Sequence, residues 1–128
     1  MEIIRIAALS LSSLLLIFVG IMRLSNPIKT YLKNSGIKLE NDSSLLNEMR
    51  GVSSVMLLAG ILIAIGIFVE RLSFTSHFIA ILIFIGFVIG RLISMKVDGK
   101  PSKQITQGIM FELILGAANV FCLINIWN

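Results

Sequence analysis

One acid stands inside an otherwise apolar stretch near the C-terminal end, Glu112 in the run from Ile105 to Trp127. It follows Ile105 by seven residues, about 10 Å into a helix at 1.5 Å per residue. Charged side chains cost roughly 2.5–3.5 kcal/mol at the centre of a membrane helix and usually face a partner or a cavity. Protonation or a nearby cation relieves that cost. Candidate cations are Arg91, which follows Gly90 near the end of the third apolar segment, Arg50 at the start of the second, and Arg23 at the end of the first. Glu48 stands two residues before Arg50, and Asp98 lies in the turn after the third segment. Depth alone groups Glu48, Arg50, Arg91, Asp98 and Glu112 as a charged cluster, provided the segments face one another.

Two kinds of chemistry compete for this cluster. Its members could be structural salt bridges that fix helix register, with Lys and Arg ends reaching to headgroups. Alternatively they line a polar pocket that binds a lipid headgroup or small anion, since Arg captures carboxylate and phosphate in a bidentate manner. Catalysis is a third reading, with Glu112 and Asp98 as an acid–base pair. The chain offers no Ser/His/Asp set, no Cys/His pair and no metal-ligand spacing. No catalytic residue, metal or cofactor is therefore assigned. His77, the single histidine, reads as an interfacial, hydrogen-bonded side chain near the end of its segment. Cys122, the single cysteine, reads as a small packing residue.

The elements that position these groups follow from hydropathy. Hydrophobic residues are 56% of the 128, charged residues 14%, and the mean hydropathy is +0.96. A soluble domain carries about 25% charged residues; lipid is the expected solvent here. The net charge of +4 is carried by residues flanking apolar segments, a topology signal rather than a nucleic-acid site. No nucleic-acid partner is expected. About 20 apolar residues span a hydrocarbon core. Four segments qualify, at about 3–24, 49–69, 72–95 and 104–127. They are too long and too uniformly apolar for strands, and they do not alternate as barrel strands do. The expected fold is all-α, one domain over 1–128, an integral membrane bundle of four antiparallel transmembrane helices. The first segment lacks the flanks and cleavage site of a signal peptide and reads as a retained helix.

Orientation follows from Lys and Arg. Nine of the eleven, among them Arg23, Arg50 and Arg91, fall on the side of the 25–47 and 96–103 connections, and only Arg5 and Arg71 on the other. That places both loops in the cytoplasm and both termini outside, with Trp127 an anchor at the outer interface. In the first connection, Asn26-Pro27 ends the first helix. Ile28, Tyr31 and Leu32 then share one face with Lys29 and Lys33 on another, as in a short amphipathic helix on the membrane surface, stopping at Gly36. An ordinary loop is the alternative. Asn41-Asp42-Ser43-Ser44 offers caps for the second helix. The short 70–76 connection makes the second and third helices neighbours. Asp98-Gly99 is a turn dipeptide, and Pro101 suits the first turn of the fourth helix.

In lipid, small residues bring helix backbones together. The inward faces expected on that ground are Ser10, Ser13, Ile17 and Gly20 in the first helix, Gly60 and Ala64 in the second, Gly86, Gly90 and Ser94 in the third, and Gly108, Glu112, Gly116 and Asn119 in the fourth. A dimer face is the alternative use of such a stripe.

Several of these short motifs recur together. Glu48-Met49-Arg50-Gly51 opens the second helix, Gly90-Arg91-Leu92-Ile93-Ser94 closes the third, and Asp98-Gly99-Lys100-Pro101 leads to the helix containing Glu112. In this the chain resembles, over nearly its whole length, domain of unknown function 4345, a family of small bacterial membrane proteins. The resemblance implies a four-helix membrane fold and a bacterial inner-membrane location. It implies no activity, and it draws interest to Glu48, Arg50, Gly51, Arg91, Asp98, Gly99, Pro101 and Glu112.

The leading expectation is a non-enzymatic membrane protein whose charged site near the cytoplasmic face binds a lipid headgroup or small anion. Transport through so small a bundle would need a homo-oligomer. The alternatives are a structural or accessory membrane subunit and a small membrane enzyme.

Overall fold

A computed structural model describes residues 1–127; the side chain of Trp127, expected as an interface anchor, lies outside the described residues, as does Asn128. Among the described residues five α-helices follow one another: α1 (Glu2–Ser25), α2 (Pro27–Ser35), α3 (Ser43–Phe68), α4 (Ser73–Asp98) and α5 (Lys103–Trp127). A single 3-10 turn, Glu70–Leu72, joins α3 to α4. Four of the helices, α1, α3, α4 and α5, are long and apolar enough to cross a membrane. Their outward surfaces carry exposed Leu, Ile, Val and Phe, such as Phe18, Leu58, Leu82 and Phe111. In water such a surface would drive aggregation, whereas in a bilayer it is the solvated face.

Local chemistry sets the helix limits. The Asn26 side chain accepts from the Lys29 amide, and Pro27 occupies the first turn of α2, where its missing N–H costs nothing. Gly36 ends α2 in the left-handed region at φ 67°. Its amide bonds Leu32 and that of Ile37 bonds Tyr31, which satisfies the last carbonyls. Asp42, one of the caps offered for this helix, caps α3 through the Leu45 amide, so α3 starts at Ser43, ahead of the apolar span expected from about 49. The helix α5 starts at Lys103, after Pro101 rather than with it in the first turn. Ser102 supplies the cap, accepting from the Ile105 amide at 3.3 Å. The same hydroxyl donates to the Ser35 carbonyl at 2.6 Å and so ties α2 to the start of α5.

Leu9, Leu16, Met56, Ala59, Ile63, Ala80, Phe84 and Leu115 form the apolar centre of the bundle. The helices approach where glycine allows it. A Cβ on Gly20 would lie 2.9 Å from the Leu57 nitrogen, and one on Gly60 would lie 2.9 Å from the Ile17 nitrogen, so α1 and α3 cross backbone to backbone. The expected stripe on the third helix does not pack inward: Gly86, Gly90 and Ser94 are exposed, with nothing within 4 Å of a Cβ on either glycine. Its inward line is Ser73, Ser76, His77, Ala80, Phe84 and Val88. The reason is polar satisfaction. His77, Ser73 and Ser76 cannot face lipid without partners, and turning them inward turns the glycines out.

His77 is accordingly hydrogen-bonded, as expected, and faces the interior of the bundle. It is fully buried, with Nδ1 2.8 Å from Asn119 Oδ1. Asn119 Nδ2 donates to Ser12 Oγ at 2.9 Å and to the Leu115 carbonyl at 2.8 Å, so one polar chain pins α1, α4 and α5 together. Near the chain's N-terminal end Arg5 acts similarly. Its Nη1 donates to the Gly66 carbonyl at 3.0 Å and Ser73 Oγ at 2.7 Å, while Nε and Nη2 grip the Glu2 carboxylate. Arg5 thereby caps the last turn of α3 and joins it to α1 and α4. Cys122 is buried close by, as a free thiol.

Candidate functional site

At the opposite end from Arg5, three charged side chains converge between the helices. Arg91 comes from the last third of α4, Glu112 from the third turn of α5 and Arg23 from the last turn of α1. Arg91 Nε lies 3.1 Å from Glu112 Oε1, although its N–H is not aimed along a hydrogen bond. Glu112 is 8% exposed, and its second oxygen, Oε2, has no partner among the described residues. Arg23 lies with its guanidinium carbon 4.4 Å above the Tyr31 ring, a cation–π contact. One of its terminal nitrogens donates to Ser35 Oγ at 3.3 Å, and its buried Nε has no partner among the described residues.

The short helix α2 makes this arrangement. The break at Asn26-Pro27 folds the chain back under the end of α1, and Thr30 Oγ1 donates to the Met22 carbonyl at 2.9 Å. Pro27, Thr30, Tyr31 and Ser35 are buried, and Leu32 is exposed. The helix is thus a floor beneath the charged groups, with Tyr31 facing the bundle and not the membrane surface.

A cavity of about 170 Å³ opens on the three charges, with Asn34, Ser35 and Gln104 at its polar end and Leu15, Val19, Phe84 and Phe111 along its apolar walls. On the other side of Arg23 and Arg91 lies a groove of about 390 Å³ between α3 and α4, lined by Tyr31, Met49, Val52, Gly86 and Gly90. Arg23, Ser35, Phe87, Arg91 and Ile105 line both.

Of the five residues grouped from the sequence, the structure brings Arg91 and Glu112 together and leaves the other three outside. Arg50 points to the exposed end of α1 and donates to the Leu24 carbonyl. Asp98 is exposed and accepts from Ser94 Oγ, one turn back, at 2.9 Å. Glu48 is exposed beside Ser43, Ser44 and Asn47 at the start of α3. Depth along a helix grouped all five, but the side chain's angular position decides which face inward, and these three point out. Arg23 takes their place, and Tyr31 and Ser35 complete its surroundings. The signal for them was the Asn26-Pro27 break, which reverses the chain and brings Tyr31 back to Arg23. Among the described residues no three His, Cys, Asp or Glu side chains converge as a metal-ligand set would.

The arrangement has two guanidinium groups facing one carboxylate, a formal charge of +1 beside an apolar cavity. Such a site can hold an anion between the arginines, or it can serve as an ion pair that locks α4 to α5. No curated protein and no solved structure matches the chain. A family model does, over residues 4–123, and by that match the chain belongs to the family described as domain of unknown function (DUF4345).

Proposed function

We propose that this membrane protein binds a lipid headgroup or small anion between Arg23 and Arg91. The observation that carries the reading is an excess of cation at one cavity: the half-buried Arg23 and Arg91 line it with a single buried carboxylate, Glu112, and the buried atoms Arg23 Nε and Glu112 Oε2 lack partners among the described residues. Buried polar groups left unpaired cost about 1–3 kcal/mol each. A bound oxyanion removes that cost at the arginines, and a hydroxyl or amine on the same ligand removes it at Glu112. Native mass spectrometry of the solubilised protein tests this, wild type beside Arg23→Gln, Arg91→Gln and Glu112→Gln. The wild type is expected to carry a bound lipid or anion that the two arginine variants lose. Bare spectra identical in all four proteins would overturn the reading.

The site opens toward the cytoplasm in this proposal. Nine of eleven Lys and Arg residues lie on the side of the 25–47 and 96–103 connections, and cytoplasmic loops carry that excess. Four spans would put both termini on one side, here the outside. A cysteine introduced at Lys100 is expected to resist a membrane-impermeant maleimide in intact cells and to react after permeabilisation. Labelling before permeabilisation would invert the topology.

A further inference from the structure

The cavity beside Arg23, Arg91 and Glu112 is polar at one end only. Its other walls are Leu15 and Val19 of α1, Phe84 and Phe87 of α4, and Phe111 of α5. The seams of the bundle differ at this level. Gly20 and Gly60 press α1 against α3, and Gly116 lets Ile85 of α4 sit against α5. Between α1 and α5 the chain is open: Leu15 and Val19 are half-buried, Phe111 is exposed, and a Cβ on Gly108 would meet nothing within 4 Å. Farther along, the Asn119–Ser12 hydrogen bond closes the same seam. The opening therefore leads from the arginines to the hydrocarbon side of the helices.

We infer that the ligand is a single-chain anionic amphiphile that enters from the bilayer between α1 and α5. Its oxyanion lies on Arg23 and Arg91, a headgroup hydroxyl donates to Glu112 Oε2, and its chain leaves along Leu15, Val19 and Phe111. The inference rests on the anion site proposed above and adds the chain and its route. Charge selects the head, since two arginines and one glutamate leave room for a monoanion. The walls select the rest, because a free hydrophilic anion makes no use of three phenylalanines. Gly108 keeps the exit open.

The test uses the full chain in nanodiscs of phosphatidylcholine and three probes. Lysophosphatidylglycerol with a twelve-carbon chain has a monoanionic head with hydroxyls, glycerophosphoglycerol is that head without the chain, and lysophosphatidylcholine is a chain with a zwitterionic head of no net charge. Binding is compared in the wild type, Gly108→Leu and Arg23→Gln, at matched mole fraction in the membrane for the two lipids. Gly108→Leu narrows the exit, leaves every charged side chain in place and improves helix propensity. The expected result is lysophosphatidylglycerol binding at least about tenfold tighter than the head alone. Gly108→Leu is expected to weaken it about tenfold while leaving the head alone unaffected, and Arg23→Gln to weaken both. Equal binding of head and lysolipid, unmoved by Gly108→Leu, would overturn the chain and its route while keeping the anion site. Equal binding of the two lysolipids, unmoved by Arg23→Gln, would overturn the anion site and the inference with it.

Discussion

Glu112→Ala is expected to lower the stability of the bundle by about 3–5 kcal/mol, the range for breaking a buried ion pair from one side. The size of the effect comes from what is left behind. Arg91 and Arg23 face the same cavity, and without the carboxylate two guanidinium groups would share it with no counter-charge. Arg91→Met leaves Glu112 with no cation at 3.1 Å, and the loss is expected to be of the same order. The double change Arg91→Met with Glu112→Leu removes both charges and keeps the volume. It is expected to recover most of the stability, since replacing a buried pair with apolar groups is often neutral or stabilising. Reversible unfolding in mixed dodecylmaltoside and SDS micelles measures all three. Recovery of stability together with loss of ligand would separate the two roles of the pair: packing would tolerate its absence and binding would not. Recovery with an unchanged ligand would make the charges architectural. A loss under about 1 kcal/mol in Glu112→Ala would show the pair to be as weak as an exposed one.

The four long helices were legible because length and hydropathy suffice to define a membrane span, and the helix ends were legible where a capping residue stood at the right place, as at Asn26, Gly36 and Asp42. The start of α3 at Ser43 followed from the cap although hydropathy begins later. What the sequence could not resolve was rotation about each helix axis. Gly86 and Gly90 form as good a small-residue stripe as Gly20 or Gly60 do, yet they lie two residues, about 200° at 100° per residue, from Phe84 and Val88, which face inward. The requirement to bury His77 overrode the stripe. Rotation also decided the site. Arg91 and Glu112 were paired by depth and met in space, but Arg50 at similar depth points to the end of α1. Arg23 stood among the candidate cations, and its place at the cavity depends on the fold-back of α2, a tertiary event that no single-segment pattern encodes.

That contrast between equivalent glycine pairs supplies the second large effect. Gly60→Leu and Gly20→Leu are expected to destabilise the bundle by about 3 kcal/mol or more, at or above the upper end of the range for overpacking. At both positions the new Cβ meets main-chain nitrogen of the facing helix at 2.9 Å, and backbone cannot rotate away as a side chain can. The helices must separate, losing close contacts along the whole crossing, and in lipid no gain from excluded water offsets the loss. Gly86→Leu and Gly90→Leu place the same side chain where a Cβ has nothing within 4 Å. There the change is expected to be neutral or slightly stabilising, because Leu is the better helix former by several tenths of a kcal/mol. The sign thus reverses between two patterns that read alike. Unfolding in mixed micelles gives the stability, and sedimentation in the same detergent gives the mass of the particle. A large loss at Gly86 or Gly90 without a change in mass would place that face inside the bundle and refute the helix rotation described here. A loss accompanied by a halved mass would instead assign the stripe to contact between two copies, since only a neighbouring helix at that face makes an exposed glycine matter.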